Sequence, residues 1–352
     1  MLLRTLPLLT EEFEHHIITL KNPGELAQRF SERGILVTTI YQKNIFEIRA
    51  YKRILSEIRK LNPSVIITYL FHADMIGRLF LQRNISTPII PFLRTTYNHH
   101  KYLIARIFEW LTKPLVKQYL ANSEAVKRFY SVRLGVDTKK ISVIPNGIDT
   151  DCFATITPNS DLKRSLGINL GDFVIICVAN FHINKGHRYL LEAFERLYKK
   201  SKARENLKLF LVGGGPERNN LQHQISGYQS KENIIFLKQR ADVPQLLKVA
   251  NLFVLPTLFE GQSNAILEAM AAGIPVITTD IAENRIILKN NTDSLLVPIR
   301  NSTALTQSIQ KLQDNPLVRS AFAQKAMENI QQHFSLKKVV LRWKNFLIKT
   351  TS

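Results

Sequence analysis

The sequence is poor in cysteine, in long apolar runs and in acidic residues. Its 352 residues include two cysteines, Cys152 and Cys177, without a C-x-x-C pair or a metal-like spacing. This excludes a disulfide scaffold and fits a reducing compartment. No stretch of about 18 uncharged apolar residues occurs, so no transmembrane helix is predicted, and the amino terminus lacks a secretory signal. We therefore expect a cytoplasmic protein.

The shortage of acids leaves a strongly basic chain. Lys and Arg number 48 against 28 Asp and Glu, which gives a formal net charge of +20. Such a charge favours an anionic partner, for example an acidic bilayer or a phosphorylated ligand. No basic stretch is interleaved with aromatic residues, so we do not expect a nucleic-acid partner. A solvated basic surface without a dedicated partner remains the alternative.

Short apolar runs alternate with helix-length amphipathic segments along nearly the whole chain. The runs are HHIITL, ILVTTIY, SVIITYL, TPIIPFLR, QYLANS, KISVIPNG, FVIICVAN, LKLFLVG, NIIFLK, NLFVLP, IPVITT and SLLVP. Continuous apolar runs are typical of parallel strands covered on both faces. The pattern predicts an α/β protein with two doubly wound, Rossmann-like domains.

A polar stretch after VIPNGID marks the predicted domain boundary, because it carries turn signals and no strand before Phe173. We predict an amino-terminal domain over 1–150 and a carboxy-terminal domain over 165–335, with the last helix, 336–352, packing back on the first domain. Domains of this kind bind ligands at the carboxyl ends of their strands.

One carboxylate, Glu268, interrupts the apolar helix predicted from Ser263 to Gly273. An unpaired carboxylate in an apolar helix is costly, so a partner is expected. One candidate is a vicinal diol such as a ribose, and the other is an Arg or Lys of a neighbouring helix. At the start of the same helix, Gln262, Ser263 and Asn264 could hold a phosphate.

Three further motifs bear on the predicted function. Lys185, before a predicted helix, is well placed for phosphate charge, although this position taken alone favours a plain surface lysine. LVGGGPER, with Gly214, lacks the third glycine of a dinucleotide fingerprint and is interpreted as a tight turn. GQSNA at 261–265 approximates a nucleophile elbow with Asp293 and His333 downstream, which keeps an α/β hydrolase as a minor alternative.

Glu260 and Glu268 form E-x7-E within PTLFEGQSNAILEAMAAGIPVITTD, and this resembles the signature of retaining glycosyltransferase family 4, which has the GT-B fold. The resemblance extends through VIPNGID, the Lys185-Gly186 loop, LVGGGPE and SLLVP. It implies transfer of a sugar from a nucleotide-diphosphate donor to a cell-envelope glycan or glycolipid, without a metal or other cofactor. An anionic membrane surface, where lipid-linked acceptors reside, is a further implied partner.

The resemblance also implies roles for individual residues. Glu260 would contact the donor sugar, Glu268 the ribose and Lys185 the diphosphate. The implied catalytic residues are Glu260, Lys185 and Arg94, and the implied donor-binding residues are Asn180, Gly214, Gly261, Gln262, Ser263, Asn264 and Glu268. His72 is a further predicted catalytic residue because it stands at the end of the predicted strand 64–70, facing the predicted cleft, although a helix-capping or core histidine fits equally.

The chain departs from the family pattern at two of these positions. Asn180 stands where many members have an arginine, and Arg94 where many have a histidine. These departures keep open the alternative of a nucleotide-sugar-binding protein with impaired catalysis.

The amino terminus departs from the pattern too. MLLRTLPLLTEEFEHHIITL reads as the helix that follows a first strand and a glycine-rich loop in the family. We therefore expect Met1 to be an internal start or the chain to be a fragment. Unpaired edges on HHIITL and SVIITYL and reduced stability and activity would follow.

Overall fold

The computed structural model describes residues 1–44, 47–96, 103–157 and 159–351. The chain divides into two compact units, and the second is a single continuous segment. The first unit contains Met1–Gly147 and Leu336–Ser352, and the second contains Ile148–Ser335. Each unit is an α/β structure whose strands are all parallel, as predicted.

The first unit holds six strands and seven α-helices in its described residues. The strands are β1 (His16–Thr19), β2 (Leu36–Thr39), β3 (Ile66–Tyr69), β4 (Ile89–Leu93), β5 (Tyr119–Ala121) and β6 (Ile141–Val143). The helices are α1 (Leu2–Thr5), α2 (Glu25–Ser31), α3 (Ile48–Leu61), α4 (Leu70–Leu79), α5 (Leu103–Thr112), α6 (Glu124–Leu134) and the last helix of the chain, α16 (Leu336–Thr351).

The second unit holds six strands and nine α-helices in its described residues. The strands are β7 (Phe173–Val178), β8 (Leu207–Val212), β9 (Ile234–Leu237), β10 (Leu252–Leu255), β11 (Val276–Thr279) and β12 (Ser294–Val297). The helices are α7 (Thr150–Ala154), α8 (Ser160–Ser165), α9 (His187–Lys200), α10 (Arg218–Gln224), α11 (Val243–Val249), α12 (Asn264–Ala272), α13 (Ala282–Ile287), α14 (Ser302–Asp314) and α15 (Pro316–His333).

The strands of the first unit form two separate sheets. β1 pairs with β2, and the other four follow the order β3-β4-β5-β6. Among the described residues, β1 and β3 each have a strand partner on one side only, which agrees with the predicted unpaired edges. The helix predicted at the amino terminus is short: α1 ends at Thr5, two residues before Pro7, and a 3₁₀ turn follows.

Helix α16 contributes to the core of the first unit. Val339 and Trp343 are buried against Phe92 and Leu120 of the four-stranded sheet, with Leu9 from the amino-terminal segment in the same cluster. The edge-to-face contact between Trp343 and Phe92, with ring centroids 5.5 Å apart, fixes the helix on the sheet. The carboxy-terminal segment is thus an integral layer of this unit.

The second unit has one six-stranded sheet in the order β12-β11-β10-β7-β8-β9. Its central strand, β7, is buried along nearly its whole length. Cys177, in β7, is fully buried, and burial raises the pKa of its thiol to about 12, whereas Cys152 on α7 is exposed; neither forms a disulfide. Asp149, at the start of this unit, has a structural role, since its Oδ1 accepts the Cys152 N–H at 3.1 Å and caps α7.

No helix among the residues just described is both long enough and apolar enough to cross a bilayer.

A buried ion pair joins two helices of the first unit. Arg78 on α4 and Glu109 on α5 are 1% and 2% exposed, and their Nη1 and Oε2 atoms lie 2.5 Å apart. Tyr130 donates a hydrogen bond to the other oxygen of Glu109, and Arg78 donates to Thr112 Oγ1. Removing one partner of such a pair costs about 3 to 5 kcal/mol, because the other charge is left buried.

Asp74 lies beside this pair and accepts a hydrogen bond from the Thr68 hydroxyl. Burial raises the pKa of Asp74 to about 7, against the opposing effect of Arg78. The folded state therefore holds this proton more tightly than the unfolded state. The contribution of the Asp74 carboxyl to the free energy of unfolding is fully present below about pH 4 and is lost as the pH rises through 7.

We predict that Asp74→Asn makes the free energy of unfolding less dependent on pH in this range. The amide accepts the same hydrogen bond from Thr68 without acquiring charge. Relative to the parent, the free energy of unfolding of the variant should therefore rise by about 1 kcal/mol or more when the pH is raised from 5 to 8. Urea unfolding of both proteins at the two pH values measures the difference. Parallel stability profiles would show that Asp74 does not titrate in this range.

Candidate functional site

The strand order of the second unit reverses between β7 and β10. From β7 the chain proceeds to β8 and β9 on one side, and from β10 to β11 and β12 on the other. Loops that follow β7 and β10 therefore leave the same edge of the sheet towards opposite sides. A crevice at such a switch point is where doubly wound sheets bind ligands.

Hydrogen bonds join these two loops through one backbone carbonyl. The Asn184 oxygen accepts the Leu258 N–H at 2.7 Å and the Thr257 hydroxyl at 3.0 Å. Close packing adds to this: a Cβ on Gly186 would lie 2.0 Å from the Pro256 oxygen, and Gly186 has φ +70°. Only glycine fits this turn without moving the neighbouring backbone.

The joined loops bring together Lys185 and Glu260, which the sequence singled out separately. Lys185 Nζ lies 2.6 Å from Glu260 Oε1, and the two side chains are 22% and 9% exposed. The pair is therefore partly shielded from water, with one charged group of each sign at the switch point. Such a pair can exchange its internal contact for an anion at the ammonium and a hydroxyl at the carboxylate.

Helix α12 begins beside this pair in sequence. Ser263 is its N-cap, and its Oγ accepts the Ile266 N–H at 3.4 Å. Gln262 and Ser263 are buried, whereas Asn264 is exposed. The predicted carboxyl end is confirmed, because Gly273 caps the helix with φ +74°. The positive end of the helix dipole thus lies directly after Glu260 and Gly261.

Glu268 is half-buried in the second turn of α12. Its neighbours along the helix, Leu267 and Ala269, are buried, as the apolar pattern predicted. The carboxylate is therefore carried by a helix whose other surfaces belong to the core.

The glycine turn after β8 packs against the loop after β7. Gly214 O accepts the Phe181 N–H at 2.8 Å, and a Cβ on Gly213 would lie 2.2 Å from the Ala179 oxygen. The interpretation of LVGGGPER as a tight turn with close backbone approach agrees with this geometry. Asn180, between these contacts, is exposed.

His187, the first residue of α9, is a residue of this region that the sequence pattern did not predict. Its side chain is buried, stands edge-to-face on Phe181, and neither ring nitrogen has a hydrogen-bond partner within the described part of the chain. Burial, reinforced by the Lys185 charge, lowers the pKa of His187 to about 4. A neutral imidazole therefore supports the turn that carries Lys185. The only signal for it was its position directly after Lys185-Gly186.

Two predicted site residues lie in the first unit. His72 is exposed on the first turn of α4. Arg94 follows β4, is half-buried over the Phe92 ring, and its Nη2 lies 3.5 Å from Asn146 Oδ1. Burial lowers the pKa of Arg94.

Two residues of the hydrolase alternative have structural roles, and the third is exposed. Ser263 caps α12, Asp293 accepts the Lys289 N–H at 2.7 Å, and His333 is exposed at the end of α15. Across residues 1–44, 47–96, 103–157 and 159–351, no group of three or more His, Cys, Asp and Glu side chains is arranged to hold a metal ion.

Two family models match the chain, one in each half. Residues 5–152 match the model described as Glycosyltransferase Family 4, and residues 172–315 match the model described as Glycosyl transferases group 1. The chain is a GT-B glycosyltransferase. Solved structures bear out the fold: HepE of Anabaena, in complex with UDP and glucose, superposes with a TM-score of 0.87 at 19% identity, over 99% of this chain and 95% of that one.

Curated relatives cover most of the glycosyltransferase. It is 26% identical to the UDP-Gal:alpha-D-GlcNAc-diphosphoundecaprenol alpha-1,3-galactosyltransferase of Escherichia coli, over 96% of this chain and 89% of the relative. It is 23% identical to the N-acetylgalactosamine-N,N'-diacetylbacillosaminyl-diphospho-undecaprenol 4-alpha-N-acetylgalactosaminyltransferase of Campylobacter jejuni, over 91% and 88%.

We predict that Gly186→Ala destabilises the glycosyltransferase more than Gly167→Ala does. The two glycines have similar φ angles, +70° and +64°, but a Cβ on Gly167 meets nothing within 4 Å. Gly167→Ala should cost about 1 kcal/mol of conformational strain, and Gly186→Ala about 1 to 3 kcal/mol more through the Pro256 clash. Denaturant unfolding measures both, and equal losses would contradict the close approach.

Proposed function

We propose that the protein is a retaining glycosyltransferase of family 4 that moves a sugar from a nucleotide-diphosphate donor to a cell-envelope glycan or glycolipid. The observation that carries the proposal is the Lys185–Glu260 pair at the switch point, 2.6 Å apart and followed by the amino terminus of α12. A diphosphate needs positive charge and backbone N–H donors, and a sugar needs a group that accepts hydrogen bonds from its hydroxyls. The Lys185 ammonium, the N–H groups at the start of α12 and the Glu260 carboxylate provide these three groups at the switch point.

Donor binding, in this proposal, exchanges one set of partners for another. The Lys185 ammonium moves from Glu260 to the diphosphate, where it stabilises the charge that grows on the leaving phosphate. Glu260 is then released to the hydroxyls of the donor sugar. Gly261, Gln262, Ser263 and Asn264 border the diphosphate, Asn180 and Gly214 line the neighbouring turns, and Glu268 accepts two hydrogen bonds from the ribose.

Lys185 and the helix dipole supply the positive charge, so the proposed reaction needs no metal or other cofactor. Retention follows from attack on the donor sugar from the face that the phosphate leaves, with that phosphate assisting deprotonation of the acceptor hydroxyl. We assign Arg94 and His72 to the acceptor side of this reaction.

The names of the relatives support the proposed substrates. The Escherichia coli protein is named for UDP-Gal and for a diphosphoundecaprenol-linked acceptor, and the Campylobacter jejuni protein for a diphospho-undecaprenol acceptor. We therefore propose a uridine diphosphate sugar as the first donor to test and a lipid-linked glycan as the acceptor. The two unpaired cysteines fit a cytoplasmic location for this reaction.

The proposal predicts that uridine diphosphate sugars raise the melting temperature and that Lys185→Ala abolishes most of this shift. Uridine binding should change little, because only the charged part of the donor needs the ammonium. Lys199→Ala is the matched control, since Lys199 also pairs with a buried glutamate, Glu195, at 2.9 Å.

If Lys185→Ala weakens the binding of uridine and of the uridine diphosphate sugar equally, Lys185 is a structural residue. Donor hydrolysis without acceptor separates the enzyme from a binding protein with impaired catalysis, an alternative favoured by Asn180. If donors bind and are neither hydrolysed nor transferred, the binding protein is the correct function. If no nucleotide sugar binds, the donor site is refuted.

We also predict that Glu268→Gln preserves the fold and weakens donor binding about tenfold or more. An amide offers one acceptor where the carboxylate offers two, so it cannot hold both hydroxyls of a ribose. Isothermal titration with uridine measures the change without the diphosphate. Glu192→Gln, on half-buried Glu192 of α9, is the control, and unchanged uridine affinity in Glu268→Gln would refute the ribose role.

A further inference from the structure

Arg94 and two asparagines follow three neighbouring strands of the four-stranded sheet. Leu93 on β4 pairs with Ala121 on β5, so Arg94 and Asn122 are opposite each other one residue further along. The Asn122 N–H donates to the Leu93 oxygen at 3.0 Å, which continues the strand pairing to this position. Asn146 lies beyond the end of β6, and its Oδ1 atom is 3.5 Å from Arg94 Nη2. The three polar residues therefore lie at the carboxyl edge of this sheet.

These residues, Arg94, Asn122 and Asn146, are called the polar row below, and they share one face of the sheet. The residues two positions before them belong to the apolar cluster that includes α16: Phe92, Leu120 and Ile144. Side chains two residues apart on a strand point to the same face, so the polar row continues this apolar face at its carboxyl end. The Arg94 guanidinium agrees with this placement, because it lies 5.6 Å from the centre of the Phe92 ring.

The guanidinium of Arg94 is a partly desolvated cation without an acidic partner. Burial lowers the pKa of Arg94, and Tyr69 is the one described residue that opposes this shift electrostatically. Burial raises the pKa of Tyr69, so its phenol is neutral. Within the described part of the chain Arg94 forms no ion pair, and its contact with Asn146 uses one of its several N–H donors. The remaining donors and the charge are available to an anion.

Asn122 adds an unpaired acceptor to the polar row. Its side chain is 2% exposed, and its Oδ1 atom has no hydrogen-bond partner among the described residues. β5 lies between β4 and β6, so Asn122 stands between the two residues that the 3.5 Å contact joins. A buried amide oxygen without a donor is costly, and a hydroxyl of a ligand would satisfy it.

Arg319 of the second unit shows how an arginine in a similar setting is satisfied without a ligand. Its guanidinium carbon lies 5.1 Å from the centre of the Phe173 ring, and burial lowers its pKa as well. Its Nη1 atom donates to the carbonyl oxygens of Leu312 and Gln313 at 2.7 and 2.8 Å. Arg94 has no such carbonyl partner in the described ranges of the chain. The difference marks Arg94 as a binding group and Arg319 as a structural one.

We propose that the polar row binds a sugar phosphate. The planar guanidinium of Arg94 donates to two oxygens of the phosphate, a geometry that suits arginine better than lysine. Asn122 Oδ1 accepts a hydrogen bond from a hydroxyl of the sugar. One group thus recognises the charge and the other the sugar, so a ligand that carries both binds more tightly than free phosphate or a neutral sugar.

The inference deepens the proposed function and rests on it for the role of this ligand. On the acceptor side, the phosphate is the one to which the acceptor sugar is attached in a lipid-linked glycan. Arg94 then selects acceptors whose sugar is carried on a phosphate over neutral glycans. It acts by binding substrate and not by moving a proton, because a guanidinium keeps its proton at neutral pH.

Isothermal titration of the full chain with glucose 1-phosphate and N-acetylglucosamine 1-phosphate tests the site without a donor. At least one of them should bind about tenfold more tightly than inorganic phosphate or its own neutral sugar. Arg94→Gln should weaken this binding about tenfold or more, and Arg94→Lys should restore part of it, because the charge returns without the planar donors. Arg319→Gln is the matched control and should bind like the parent.

Two variants of Asn122 test the other half of the site. Asn122→Leu removes the acceptor, and Asn122→Asp places a carboxylate beside the guanidinium, where it competes with the phosphate. Both should lower the affinity for the sugar phosphate, the aspartate variant about tenfold or more. Thermal melting of each variant verifies that it is folded.

The outcomes separate this site from the donor site. Equal affinities for sugar phosphates and neutral sugars, or unchanged affinity in Arg94→Gln, would overturn the proposal. If Arg94→Gln weakens uridine diphosphate as much as the sugar phosphate, the phosphate belongs to the donor and the acceptor role is wrong. A parent that binds sugar phosphates through Arg94 but binds no nucleotide sugar would support the polar row and refute the proposed function.

Discussion

The Asn184 carbonyl organises the candidate site. By accepting hydrogen bonds from Leu258 N and Thr257 Oγ1, it fixes the loop after β7 to the loop after β10. Lys185 follows it by one residue and Glu260 follows Leu258 by two, so the contact between the charged side chains depends on this backbone join. A ligand can therefore replace the ion pair without rebuilding the loops, which lowers the cost of reorganisation on binding.

The first unit depends in a similar way on Arg78 and Glu109. Their pairing places the polar side of α5 in the core and its apolar side chains on the surface. A purely apolar interface would favour the opposite rotation of this helix. A buried ion pair is a poor source of net stability, since desolvation offsets much of the attraction. What it contributes here is orientation, because only one rotation of the helix satisfies Glu109, Thr112 and Tyr130 together.

Much of the fold was predictable because parallel buried strands leave a strong signature. All twelve apolar runs form strands, and the limits of α12 follow from Ser263 and Gly273. The site was predictable only in part: Lys185 and Glu260 were identified one at a time, but Asn184 acts through a carbonyl that every residue possesses. The outward orientation of the apolar side of α5 was missed because LIARIFEWLT has ordinary helical periodicity, and its direction is set by Arg78, 31 residues away from Glu109.

Because Cys177 is buried, its reaction with a thiol reagent can detect rare opening of the sheet in the second unit. Because Cys152 is exposed, it should react first with a thiol reagent, whereas Cys177 lies in the middle of the sheet, paired with Leu211 of β8 and protected as a protonated thiol. Its modification requires the central strand to separate from its neighbours. A slow second phase of labelling would therefore measure how often the sheet opens under native conditions, with no engineered probe.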